Sequence, residues 1–124
     1  FGIVGLETAV ALALDRLLHA GVISLSRLVE LMSLNPARIL AVKGGTLTPG
    51  APADLTILAP DHLVTVDAAR FRSKSRNTPF GGWTLRGGVA ATIVGGRAVY
   101  VNEDVAEAGR FGAMQVKTAA SGST

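Results

Sequence analysis

The sequence contains no cysteine, which excludes disulfides and thiolate metal sites and fits a reducing compartment. It has two histidines, His19 and His62, and neither lies in an HxH or HExxH pattern, so no metal site can be read from the chain. Aromatic residues are few, one tryptophan, one tyrosine and four phenylalanines, which leaves little for stacking on bases. No long hydrophobic run is present: the longest, Ala9 to Leu14, is far too short to cross a bilayer. Nothing at the start pairs a basic region with an apolar signal stretch. Gly2 and Gly5 form no GxGxxG, and no phosphate-binding loop follows Gly44-Gly45. These absences lead to the expectation of a cytoplasmic protein with no membrane and no nucleic acid among its partners. The first residue is Phe1 rather than Met, which leads to the further expectation that the chain is a piece of a longer protein.

What is present is a chain of 124 residues, 48% hydrophobic, long enough for one modest core and too apolar for wholesale disorder. Fifteen glycines imply many turns and favour a β-containing fold over a plain helical bundle. Net charge is +3, and four of the 12 basic residues alternate at Arg70, Arg72, Lys74 and Arg76. Such a ladder either attracts phosphates or is a solvated, one-sided segment. With only Phe71 interleaved, the solvated reading is preferred.

Leu6, Val10, Leu14 and Leu17 fall on one face of a helix predicted over residues 6–20, with Gly21 as its stop. A second helix is predicted after Ser24, an N-cap, with Leu25, Leu28, Leu31 and Met32 as its apolar stripe. Asn35-Pro36 predicts a third, short helix, with Asn35 as N-cap and Pro36 at the first helical position, ended by Gly44-Gly45. Short strands are predicted at Thr46–Thr48, Leu55–Leu58, His62–Val66, Val89–Val94 and Arg97–Val101, with a hairpin turn at Gly95-Gly96. Helices followed by strands give an α+β arrangement. The helical stripes are broader than so small a sheet can cover, which fits a piece of a larger assembly. From Glu103 onward the apolar period is lost, and residues 103–124 are expected to be a flexible tail.

The residues themselves offer almost no chemistry. Glu7 and Asp15 lie two turns apart and read as solvated helix carboxylates rather than an acid–base pair. His19, near a helix C-terminus, reads as a dipole partner. Asp54 is placed to brace the start of a strand through backbone amides. Ser73, Ser75 and Thr78 supply hydroxyls, but no base is positioned by sequence to activate them. Phe80 and Trp83 read as anchors that pin the Asn77-Thr78-Pro79 turn to a core. No catalytic and no metal-ligating residue is assigned.

Three motifs in order carry a resemblance. They are Gly5-Leu6-Glu7-Thr8, Asn35-Pro36-Ala37-Arg38, and Ser73-Lys74-Ser75-Arg76-Asn77-Thr78-Pro79-Phe80. With Pro49-Gly50, Ala53-Asp54-Leu55, Leu85-Arg86-Gly87 and Thr92 to Arg97, they resemble the C-terminal part of the bacterial-type dihydroorotases over about residues 1–102. The Asn35–Arg38 and Pro49–Leu55 blocks are shared with other cyclic amidohydrolases, while Ser73–Phe80 followed by Leu85-Arg86-Gly87 points to dihydroorotase. The resemblance implies that residues 1–43 are the last helices of a (β/α)8 metal-dependent hydrolase barrel. Residues 44–102 would then be the C-terminal strands of a small composite β-sandwich domain. It implies reversible cyclisation of N-carbamoyl-L-aspartate to dihydroorotate, in pyrimidine synthesis, by a zinc-bound hydroxide with an aspartate moving the proton. The family's metal ligands would all precede Phe1, so the fragment alone is expected to bind no zinc and to be inactive. Of the family's substrate contacts only Phe1 and Gly2 match, as backbone groups facing the dihydroorotate ring. The implied partners are the substrate, the missing N-terminal barrel portion, and either a second copy or aspartate transcarbamoylase. The alternatives are a non-catalytic dihydroorotase-like subunit of aspartate transcarbamoylase and another cyclic amidohydrolase of allantoinase or hydantoinase type.

Overall fold

The computed structural model describes residues 2–107; Phe1 and most of the expected tail, residues 108–124, lie outside the described residues. Helix α1, Ala9–Ala13, runs on into a π-helical turn, Leu14–Leu18. It ends at Gly21, where the Gly21 amide donates to the Leu18 carbonyl and the Val22 amide to Leu17. Helix α2, Leu25–Val29, starts as predicted: the Ser24 hydroxyl accepts from the Arg27 amide at 3.1 Å.

The Asn35 prediction is corrected. The amide of Asn35 bonds back to the Glu30 carbonyl, closing a π-helical turn over Glu30–Leu34, and Asn35 has helical φ and ψ. A residue whose amide is already taken by the preceding turn is inside a helix, so α2, this turn and α3, Asn35–Ile39, run on as one rod. The rod also ends earlier than predicted. Ala41, at φ +52°, turns the chain so that the Val42 amide reaches the Ala37 carbonyl, well before Gly44-Gly45.

Five short strands were expected, and three are present among the described residues: β1, Leu55–Thr65; β2, Thr84–Val94; and β3, Arg97–Val101. They form one antiparallel sheet in the order β1-β2-β3. Thr46–Thr48 is not a strand. Its hydroxyls bond locally, Thr48 N–H to Thr46 Oγ1, and the Ala51 amide closes the Pro49-Gly50 turn on the Thr48 carbonyl. The two strands predicted at Leu55–Leu58 and His62–Val66 are one long strand interrupted by a bulge. Ala59 pairs with Gly88 and Leu63 with Arg86, so Pro60, Asp61 and His62 together oppose Gly87. Proline has no amide to give a ladder, and a bulge is where a sheet tolerates it. Gly95-Gly96 is the hairpin turn as predicted, both residues at positive φ.

α1 and its π-helical turn lie against β2. Ala11, Val66 and Leu85 form the main buried cluster, with Leu12, Phe71 and Phe80 packed on it. Leu14 is wholly buried over Gly87, where an added Cβ would lie 2.4 Å from Leu14 Cβ. Gly87 also has φ +123°, which other residues rarely adopt. A smaller cluster of Ala59, Ala90 and Val105 is closed by helix α4, Glu103–Glu107. The tail expected to be flexible from Glu103 therefore begins with a helix, because Val105 finds an apolar site to bury itself in. The helical rod is less well covered. Leu28 is buried, whereas Leu25, Met32, Ile39 and Leu40 are exposed, as is Leu6 ahead of α1.

Gly87→Ala is expected to destabilise the fold by about 1–3 kcal/mol, the usual penalty for forcing volume into a filled site. A lowered urea midpoint reads this out. Gly81→Ala, where a Cβ meets nothing within 4 Å, serves as the control and is expected to leave the midpoint unchanged.

Candidate functional site

The Ser73–Phe80 block sits in an excursion between β1 and β2 whose neck is closed by backbone bonds. The Val66 amide donates to Trp83 O and the Gly82 amide to Val66 O, both at 2.8 Å. Asp67 caps the 3-10 turn Ala68–Arg70 by accepting from the Ala69 amide. Phe71 and Phe80 then drop onto the core cluster from the two sides of the excursion. Phe80 meets Trp83 edge to face at 5.1 Å, and the Arg16 guanidinium lies over the Trp83 ring. The anchor predicted at Phe80 is in place, whereas Trp83 packs on Phe80 rather than on the core cluster and keeps two-fifths of its surface in solvent.

Between these anchors the polar side chains serve the loop itself. The Arg76 guanidinium donates to the carbonyls of Phe71 and Ser73. Its charge is thereby committed to the loop's own backbone, and the four-residue ladder does not present four equivalent cations. Ser75 Oγ accepts from the Asn77 amide and Thr78 Oγ1 from the Phe80 amide. Ser73 Oγ donates to Glu7. Each hydroxyl of the block thus makes a bond within the junction, Ser73 to a carboxylate and Ser75 and Thr78 to backbone amides.

The loop is joined to the start of the chain at two points. Asn77 grips the backbone on either side of Ile3: its Nδ2 donates to the Gly2 carbonyl, and its own carbonyl accepts the Val4 amide at 2.9 Å. Glu7 receives the Arg72 amide at 2.8 Å and the Ser73 hydroxyl at 3.1 Å. Of the two expected substrate contacts, Gly2 is therefore at the loop junction, with φ +78° and nothing within 4 Å of where a Cβ would stand. Phe1 lies outside the described residues.

The two carboxylates are not merely solvated, and Glu7, expected within the first helix, lies in the turn ahead of α1. Glu7 takes the loop amides, while Asp15 accepts the Arg86 amide of β2 at 2.7 Å and pairs with Arg16. The Arg86 guanidinium reaches Asp61 in the bulge at 2.6 Å. His19 turns to the same bulge, donating from Nε2 to the Pro60 carbonyl. Asp54 braces backbone as predicted, but that of the distant hairpin: its Oδ1 accepts the Gly95 amide at 2.8 Å. The bonds of Glu7 and Asn77 span most of the chain, so no local pattern exposes them. The signal for them was the co-occurrence of the two motifs. Among the described residues, no three or more His, Asp or Glu side chains are grouped to hold a metal ion, so these residues by themselves do not fit a zinc site.

The Arg72 amide, aided by the Ser73 hydroxyl and amide and by the Arg76 charge, holds the Glu7 carboxyl below its ordinary value of 4.5. A carboxylate with a depressed folded pKa stabilises the folded form above its unfolded value, and that contribution is lost as pH falls through the folded pKa. Protection of the Arg72 and Ser73 amides from hydrogen exchange is therefore expected to weaken below pH 4.5. Glu7→Gln is expected to remove this pH dependence.

Residues 3–99 match the amidohydrolase family. The chain is 58% identical over 99 residues to a dihydroorotase of Pelotomaculum thermopropionicum and 54% identical to one of Syntrophus aciditrophicus. Each alignment covers 80% of this chain and 23% of the relative, so the chain spans about a quarter of the length of the curated relatives it matches. Among solved structures, the L-hydantoinase (dihydropyrimidinase) of Arthrobacter aurescens superposes with a TM-score of 0.76 at 39% identity, over 81% of this chain and 23% of that one. No helix among the described residues is long and apolar enough to cross a membrane. Sequence match, superposition and the joined motifs agree: the chain belongs to the amidohydrolase family, with dihydroorotases among its relatives.

Proposed function

We propose that this chain is the C-terminal quarter of a dihydroorotase, which reversibly cyclises N-carbamoyl-L-aspartate to dihydroorotate. The observation that carries the reading is the junction between the Ser73–Phe80 loop and the Gly2–Glu7 segment. Two of the motifs that carry the dihydroorotase resemblance, Gly5–Thr8 and Ser73–Phe80, are thus joined through Glu7 and Asn77. The 58% identity to a dihydroorotase supports the same choice.

In this reading the helices up to residue 43 cover a barrel supplied by the rest of the enzyme. The exposed Leu6, Leu25, Met32, Ile39 and Leu40 are the surface that barrel would bury. The sheet of β1–β3 would be the C-terminal share of a composite β-sandwich. Zinc would be held by residues of the longer protein, where it supplies a Lewis acid and an activated water. This chain's own part is to present backbone at Phe1 and Gly2 to the substrate ring and to hold that backbone still. A glycine suits so close an approach.

The L-hydantoinase superposition favours a second reading, a hydantoinase-type amidohydrolase with the same fold. Assaying the complete gene product, loaded with zinc, on dihydroorotate and on hydantoin separates the two. Ring opening of dihydroorotate in clear preference to hydantoin is expected, together with the reverse cyclisation. The 124-residue chain alone is expected to turn over neither substrate, even with zinc added. Preference for hydantoin, or no turnover of dihydroorotate by the complete protein, would sink the dihydroorotase reading.

A further inference from the structure

The Ser73–Phe80 loop carries no nucleophile, and its hydroxyls and Arg76 are engaged within the junction. Its one long reach away from itself, besides the Glu7 contact, is through Asn77. That residue holds two backbone groups of one short segment at once: the Gly2 carbonyl through its side-chain amide and the Val4 amide through its main-chain oxygen. Between these points the chain belongs to no helix or strand, and Gly2 adopts φ +78°. Segments without a ladder or helix of their own have no intrinsic reason to keep one course. The course here is set from outside, by a side chain whose donor and acceptor groups match the backbone it meets.

We propose that Asn77 is a positioning residue for substrate binding, fixing the Gly2 backbone in the orientation that meets the substrate ring. This inference rests on the dihydroorotase reading and on Gly2 facing the ring. The geometry separates two contributions. The bond from Val4 uses the main chain of residue 77 and survives any substitution there. The bond to the Gly2 carbonyl uses the side-chain NH2 and is lost in alanine. In aspartate, which matches Asn in size, a carboxylate oxygen would face a carbonyl oxygen. The functional effect therefore concentrates at Gly2, while the loop keeps its anchors at Phe71 and Phe80.

The test is steady-state kinetics of the complete, zinc-loaded protein carrying Asn77→Ala or Asn77→Asp, with Lys74→Ala on the same loop as control. Loss of one well-placed bond, whose net worth is about 1 kcal/mol, is expected to raise KM for dihydroorotate about five- to tenfold. Aspartate is expected to be no better than alanine. For both, kcat is expected to stay within about twofold and the thermal midpoint close to wild type, because the reacting groups and the core are untouched. Lys74→Ala is expected to leave KM unchanged. Wild-type turnover of dihydroorotate tests the underlying reading separately, and the variant-to-wild-type ratio tests Asn77. An unchanged KM, a fall in kcat and thermal midpoint without a rise in KM, or failure of both variants to fold would assign Asn77 to stability and overturn the proposal.

Discussion

Leu14 seated on Gly87 is the contact on which the rest of the structure depends. A helix can approach a strand this closely only where the strand has no side chain, and here the approach leaves Leu14 with no exposed surface. The strand at that point is already distorted. Pro60, Asp61 and His62 bulge opposite Gly87, and the bulge supplies the groups that meet the helix. His19 reaches the Pro60 carbonyl and Asp15 the Arg86 amide, while Arg86 turns its guanidinium to Asp61. Apolar contact and polar bonds thus fix one helix on one strand in one register.

That seat determines what happens at the other end of α1. With Leu14 placed, Thr8 is buried beneath the start of the helix and Glu7 is brought to the excursion between β1 and β2. The carboxylate meets backbone amides there and not a lysine or arginine side chain. An exposed pair of surface charges contributes little, whereas a carboxylate accepting amides orients a backbone as well as holding it. Asn77 acts on backbone in the same way. The block that is most distinctive in the sequence is therefore a frame for its neighbour, with no chemistry of its own.

The sequence made the helices legible through their 3.6-residue stripes and caps, and Ser24 and Gly21 act where propensity puts them. Asn35-Pro36 misled because the dipeptide is a strong local start signal, and a continuous π-helical turn overrode it. The strand pattern around Pro60 was split in two for a similar reason: proline breaks the local pattern, but the ladder resumes beyond a bulge that is visible only with β2 in place. Val105 was lost in a stretch with no period, since one buried residue makes none. The junction of Glu7 and Asn77 was hidden by distance along the chain. Its residues read individually as a solvated acid and a turn asparagine. What the sequence did reveal was that their two motifs belong together, and the bonds between them give that association a physical form.

The Ser73–Phe80 loop and the Gly2–Glu7 segment form one clamp, held at Asn77 and Glu7 together. Residue-resolved hydrogen exchange on Asn77→Ala tests it most directly, because the Arg72 and Ser73 amides are bonded to Glu7 and not to Asn77. If the two grips are cooperative, releasing Asn77 speeds exchange at those distant amides as well as near residue 77. Faster exchange confined to the surroundings of residue 77, with Arg72 and Ser73 as protected as before, would contradict the account.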